Sequence, residues 1–128
     1  MTKKRILCVE DHPEMIELVK LILGRRGYQV EGAVGGQEGL DAMVQDPPDL
    51  ILLDLSMPAL SGDNVARFIR RYERQPIPIV LYSSRSAAEL EEAMLDMRAE
   101  GFVQKGETDE QFLAVISSAL RSDHRMSR

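Results

Sequence analysis

The chain has 128 residues, room for one domain that buries roughly two-thirds of its unfolded surface. Its 44% hydrophobic and 29% charged residues argue against disorder, and a net charge of −5 argues against direct nucleic-acid binding. A single cysteine excludes an internal disulfide, and the four-residue apolar run in MTKKRILCVED is too short for a secretory signal, so a reduced cytoplasmic location without membrane contact is expected.

Lys3, Lys4 and Arg5 read as a solvated lead into a first strand, Ile6–Val9, where Cys8 is a small buried hydrophobe. Glu10 and Asp11 follow. Pro13 then opens a helix in which Met15, Leu18, Val19, Ile22 and Leu23 keep the spacing of one face, and Gly24 and Gly27 close it. His12, between the acids and that helix, reads as a solvent-facing loop residue. The second strand is Tyr28–Val34. The stretch GAVGGQEG at 32–39 lacks the Gly-x-Gly-x-x-Gly spacing of a dinucleotide loop, so its glycines are expected in a turn and a helix start. A shorter stripe follows at Leu40, Met43 and Val44, ended by Pro47 and Pro48.

The third strand, Leu50–Asp54, runs four apolar residues straight into a carboxylate. Val65, Phe68, Ile69 and Tyr72 form the next stripe, with Arg67, Arg70, Arg71 and Arg74 read as its solvated basic face, available for kinase docking. The fourth strand is Ile77–Tyr82, and Leu90, Ala93, Met94 and Met97 make a fourth stripe. The fifth strand is Gly101–Lys105, followed by Phe112, Val115, Ile116, Ala119 and Leu120 at helical spacing. Most of the methionines fall on these stripes as core filler. Residues 122–128, SDHRMSR, are polar and aperiodic, a tail or the start of a linker in which His124 is exposed.

Continuous apolar strands suit a parallel sheet covered on both faces. Five strand–helix units with right-handed crossovers therefore predict a doubly wound α/β domain. In such sheets ligands gather at the carboxyl ends of the strands. Here those ends carry Glu10 and Asp11, then Asp54, then Ser83, then Lys105. Two carboxylates ~5 Å apart repel by about 3 kcal/mol at an effective dielectric near 20. Protonation or a cation must relieve that, and a hard divalent ion with oxygen ligands fits. Lys105 offers a fixed positive charge and Ser83 a hydrogen bond to phosphate oxygens. The set resembles a phosphoryl-transfer site with an aspartate acceptor.

Four blocks then match a known family in order and spacing: VED (9–11), LLDLSMPALSG (52–62), PIVLYSS (78–84) and GFVQKG (101–106). The chain resembles the response-regulator receiver domain of two-component signalling, of the chemotaxis-regulator kind, over about residues 5–121. The resemblance implies a flavodoxin-like fold, a five-stranded parallel sheet in the order 2-1-3-4-5 with helices on both faces, and a receiver domain spanning 1–121. It implies that Asp54 accepts a phosphoryl group from a phosphohistidine on a sensor histidine kinase or phosphotransfer protein. Glu10, Asp11, Asp54 and the backbone carbonyl of Ser56 would hold magnesium, for which manganese can substitute. Ser83 would be the switch hydroxyl, Lys105 the phosphate-binding lysine, and Phe102 the aromatic that turns inward on activation. The product is a regulator rather than an enzyme, although it supports its own phosphotransfer and dephosphorylation. Helix 4, strand 5 and helix 5 would then bind a downstream protein, an attached output domain or a second copy of the chain.

Four positions depart from the family pattern. Gly106 follows Lys105 where proline is common, so a trans bond and a different loop path are expected. Arg98 replaces a glycine that ends the fourth helix, so that helix is expected to end differently. Phe102 lacks the hydroxyl of the commoner tyrosine. Arg85, two residues after the switch serine, is long and cationic and is a candidate gate over Asp54, its alternative being a solvated loop arginine. Among competing functions, a haloacid-dehalogenase-like phosphatase expects a second aspartate where Ser56 stands, and a flavodoxin expects a hydroxyl- and glycine-rich loop where Glu10, Asp11 and His12 stand. The remaining alternative is a receiver-like module that binds proteins without phosphorylation.

Overall fold

The computed structural model describes residues 3–57 and 62–121, with only the backbone at 62 and 63. Pro58 to Ser61 of the second block, His124 and the rest of 122–128 lie outside the described residues. Five strands alternate with five helices: β1 (Arg5–Glu10), α1 (Pro13–Gly24), β2 (Gln29–Val34), α2 (Gly36–Gln45), β3 (Leu50–Asp54), α3 (Gly62–Tyr72), β4 (Ile79–Ser83), α4 (Ala87–Met97), β5 (Gly101–Gln104) and α5 (Asp109–Arg121). All pairings are parallel and the order is β2-β1-β3-β4-β5, as expected.

The register puts strand ends together. Val9 lies beside Leu53, Asp54 beside Tyr82, and Ser83 beside Gln104. Side chains alternate between two cores. Leu7, Val9, Ile51, Leu53 and Leu81 pack with Met43 of α2, Val65, Ala66 and Ile69 of α3, and Leu90 and Ala93 of α4. Ile6, Cys8, Leu50, Leu52, Val80, Tyr82 and Val103 pack with Ile16, Val19 and Leu23 of α1 and Phe112, Ile116 and Ala119 of α5. Every residue of β3 and β4 is buried, which explains their unbroken apolar runs, whereas edge strand β2 alternates. No helix among the described residues is long and apolar enough to cross a membrane.

Several boundaries and faces differ from the sequence reading. β4 begins at Ile79 rather than Ile77, because Pro76 and Pro78 cannot donate to a ladder. Leu18 and Val44 are exposed despite their place on apolar stripes. Arg5 is not simply solvated: its guanidinium lies 3.3 Å from both Glu31 and Asp46. Arg70 is not part of a solvated face either. It donates to the carbonyls of Ile77 at 2.8 Å and Arg98 at 2.7 Å, and pairs with Glu73 and Glu100.

The fourth helix keeps the left-handed end that a glycine would supply. Arg98 caps it with φ 56°, ψ 41°, and its N–H and that of Ala99 donate to Leu95 and Met94. The expectation of a different helix end is therefore wrong: a helix terminus requires the geometry, and the residue bears the cost. Gly106 follows its expected divergence. Its φ is +98°, which a proline ring forbids.

Candidate functional site

Strand β1 brings Glu10 to its end with 1% of its surface exposed, and β3 does the same for Asp54. Asp11 follows in the loop, its side chain 22% exposed. The gap between β1 and β3 is one strand spacing, so these acids cannot avoid one another. Ligand atoms of Glu10, Asp11, His12 and Asp54 lie within 4.8 Å of one another.

The contacts around the acids are unequal. Glu10 Oε2 accepts from the backbone N–H groups of Asp11 at 3.1 Å and His12 at 3.3 Å. Asp54 Oδ1 accepts from the N–H of Ser56 at 3.0 Å. Glu10 Oε1, Asp11 Oδ1 and Asp54 Oδ2 are buried and have no hydrogen-bond donor among the described residues. Lys105 and His12 stand within 3.0–3.5 Å of these oxygens but offset only part of three clustered carboxylates, and a set of hard oxygen ligands fits a hard divalent cation. The site can therefore hold a metal ion through Glu10, Asp11 and Asp54.

Lys105 closes the other side. It leaves β5 just past Gln104, where its N–H donates to the Ser83 carbonyl at 2.8 Å. Its Nζ lies 3.4 Å from Glu10 Oε1 and 3.5 Å from Asp54 Oδ2. Ser83 is fully buried, and its Oγ accepts from the Arg85 N–H at 3.1 Å. Ser56 is exposed at the mouth. Phe102 is half-buried against the core shared by α2, α3 and α4.

Electrostatics follow from this crowding. Burial pushes the Glu10 carboxyl above its ordinary value, with Asp54 adding to the rise and His12 and Lys105 opposing it. The Cys8 thiol is pushed up to about 12, first by burial and then by Glu10 and Asp54. A thiol so held is inert packing, as expected from its apolar run.

Three side chains behave differently from their sequence reading or escaped it. His12 is exposed as expected, yet its Nδ1 lies 3.1 Å from Glu10 Oε2 and 3.0 Å from Asp11 Oδ1. Its pKa is raised, first by Glu10 and then by Asp11. Its position beside two acids was the available signal. Arg85 lines a groove of about 420 Å³ between α3 and α4, together with Arg67, Arg70 and Arg98. Its carbonyl accepts from Gln104 Nε2 at 3.0 Å. Tyr82, read only as the end of an apolar run, places its ring centroid 5.2 Å from Lys105 Nζ.

Known proteins resemble this chain in sequence and in fold. A family model described as the response regulator receiver domain matches residues 6–117. An uncharacterized transcriptional regulatory protein of Bacillus subtilis, YkoG, is 37% identical over 96% of this chain and 54% of its own length. The DNA-binding dual master transcriptional regulator RpaA of Synechocystis is 34% identical over 95% of this chain and 51% of its own. The chain thus spans about half the length of these curated relatives. Among solved structures, the N-terminal domain of a response regulator/sensory box/GGDEF protein from Carboxydothermus hydrogenoformans superimposes with a TM-score of 0.82 at 28% identity, covering 92% of this chain and 94% of that one. The chemotaxis protein CheY4 of Vibrio cholerae gives 0.83 at 23% identity, covering 92% and 99%, and shows the shared fold.

Proposed function

The chain belongs to the response regulator receiver family, and from that premise we propose that Asp54 accepts a phosphoryl group from a phosphohistidine of a sensor histidine kinase or phosphotransfer protein. One observation carries the reading. Asp54 Oδ2 is buried without a hydrogen-bond donor, faces Lys105 Nζ at 3.5 Å, and shares its rim with Glu10 and Asp11. Asp54 Oδ1 is already engaged by the Ser56 N–H, which leaves Oδ2 as the nucleophile.

In the transfer, Oδ2 attacks phosphorus opposite the imidazole nitrogen. The P–O bond forms as the P–N bond breaks, and the imidazole leaves with the bonding pair. Glu10, Asp11, Asp54 and the Ser56 backbone carbonyl would hold magnesium or manganese, which when bound would neutralise charge on the phosphoryl oxygens. Lys105 meets a second phosphoryl oxygen with its fixed charge. The Ser83 hydroxyl, whose oxygen now accepts from Arg85, donates its proton to a third. Arg85, at the edge of this loop, modulates access to Asp54.

The group adds about −1.5 to −2 charges. Two charge-assisted bonds to the phosphoryl oxygens, ~1.5–3 kcal/mol each, total ~3–6 kcal/mol, less what Lys105 gives up in its present pairs with Glu10 and Asp54. Moving a two-state equilibrium from 1:99 to 99:1 takes about 5.5 kcal/mol, which the upper end of that range reaches. Drawing Ser83 inward frees space for Phe102, and the α4/β5/α5 face changes shape for a downstream protein, an attached output domain or a second copy. The setting is the cytoplasm, and the domain boundary falls near residue 121.

Incubation with acetyl phosphate and magnesium tests this. Intact-mass analysis is expected to show the gain of one phosphoryl group, and Asp54→Asn none. No gain in the wild-type chain overturns the reading and favours a module that binds proteins without phosphorylation.

A further inference from the structure

The aromatic ring beneath the phosphate-site lysine has a second neighbour. Tyr82 is 7% exposed, and its ring stacks on Phe112 of α5 with centroids 5.7 Å apart and planes 5° off parallel. Lys105 Nζ stands 5.2 Å from the Tyr82 centroid, inside the range of a cation–π contact. Lys105 is therefore held by three groups: the carboxylates of Glu10 and Asp54, and the face of Tyr82. A bare ammonium on four methylenes has many rotamers, and a ring beneath it removes most of them.

The strand pleat gives this arrangement a direction. Tyr82 and its β5 neighbour Val103 point to the α1/α5 core, while Leu81 and its neighbour Phe102 point to the core under α2, α3 and α4. The Ser83–Phe102 pair can thus move only the α4 side of the sheet. A rearrangement of Lys105 reaches the other side, because the ring it rests on is stacked against a helix.

We propose that Tyr82 is a positioning residue that holds Lys105 toward Asp54 and passes its displacement through Phe112 to α5. This rests on the phosphoacceptor reading of Asp54 for the displacement but not for the positioning. When a phosphoryl group sits on Asp54, its oxygens draw the ammonium from the two carboxylates. The cation over the ring shifts, the electrostatic hold on the ring face changes, and the Tyr82–Phe112 stack repacks. No bond is made or broken in Tyr82. A face that includes both α4 and α5 then receives one signal through each core.

Nuclear magnetic resonance on the whole chain tests both halves. Ring currents should move the Lys105 ε-methylene protons upfield in the wild type, with no phosphoryl group needed. Tyr82→Leu is expected to abolish that displacement, and Tyr82→Phe, which keeps the ring, to retain it. Phosphorylation by acetyl phosphate should slow roughly twofold to fivefold in Tyr82→Leu and recover in Tyr82→Phe, the rate equivalent of one cation–π contact. With beryllofluoride and magnesium, Tyr82→Leu should lose the amide response of residues 109–121 and keep that of Phe102 and α4. Phe112→Leu, which spares Lys105, should retain the ε-methylene displacement and lose the α5 response. Unchanged Lys105 protons in Tyr82→Leu, or an intact α5 response in either leucine variant, overturns the proposal. A wild type with the Lys105 displacement but no response anywhere to beryllofluoride sinks the phosphoacceptor reading and the relay, while the positioning role stands.

Discussion

Glu10 is a buried acid whose carboxyl titrates above its ordinary 4.5, chiefly because burial disfavours its charged form. The folded chain therefore keeps a proton that the unfolded chain has already released, over the pH interval from 4.5 upward to the raised value. Stability falls as pH rises through that interval, opposite in sign to the usual salt-bridged carboxylate. Urea unfolding in the presence of a chelator should show a higher midpoint at pH 5 than at pH 7.5, and Glu10→Gln should flatten the difference. A midpoint that rises with pH in the wild type would contradict the assignment. Glu10, Asp11 and Asp54 were legible as residues in the sequence because they follow apolar runs. The contact of His12 with two of them was not, since a loop histidine beside acids can turn either way until the loop is folded.

At the level of elements, the end of α4 shows a cost carried for position. Arg98 adopts φ 56°, where a side chain with a Cβ is strained by roughly 1–2 kcal/mol. Replacing it by glycine relieves that strain but gives the unfolded chain more freedom, worth about 0.4–1 kcal/mol. The first effect wins, so Arg98→Gly should raise stability by about 0.5–1 kcal/mol, read as a shift in urea midpoint with an unchanged slope. The backbone there is held independently, since the Arg98 carbonyl accepts from Arg70. Loss of stability in the variant would show that the arginine side chain makes the larger contribution. Close packing sets another element. A Cβ at Gly39 of α2 would come within 2.8 Å of the Val9 methyls, so the helix lies closer to β1 there than any other residue allows.

For the molecule as a whole, three acids at one rim make the metal-free fold less stable than its cores would allow. A dication that binds only the folded chain adds about 2.7 kcal/mol at a hundred times its dissociation constant. Thermal melts followed by circular dichroism should therefore rise by several degrees when saturating magnesium replaces the chelator. Asp54→Asn should raise the metal-free midpoint and shrink the magnesium increment together. A wild-type midpoint indifferent to magnesium would rule out a cation site among these residues. The fold itself followed from hydrophobic period: unbroken runs at β3 and β4 suit strands covered on both faces, and the stripes between them suit covering helices. Those patterns are local properties of a chain, so the sequence alone determined the α/β class, and the strand-end positions of its acids, serine and lysine. Tertiary structure decided which groups share an atom's neighbourhood. It set Lys105 between two carboxylates and a tyrosine ring, turned Arg70 inward to hold two carbonyls, and left Leu18 and Val44 in water. Periodicity names a face, but only the packing of whole elements against one another fixes how far that face is covered and what a side chain at its edge can reach.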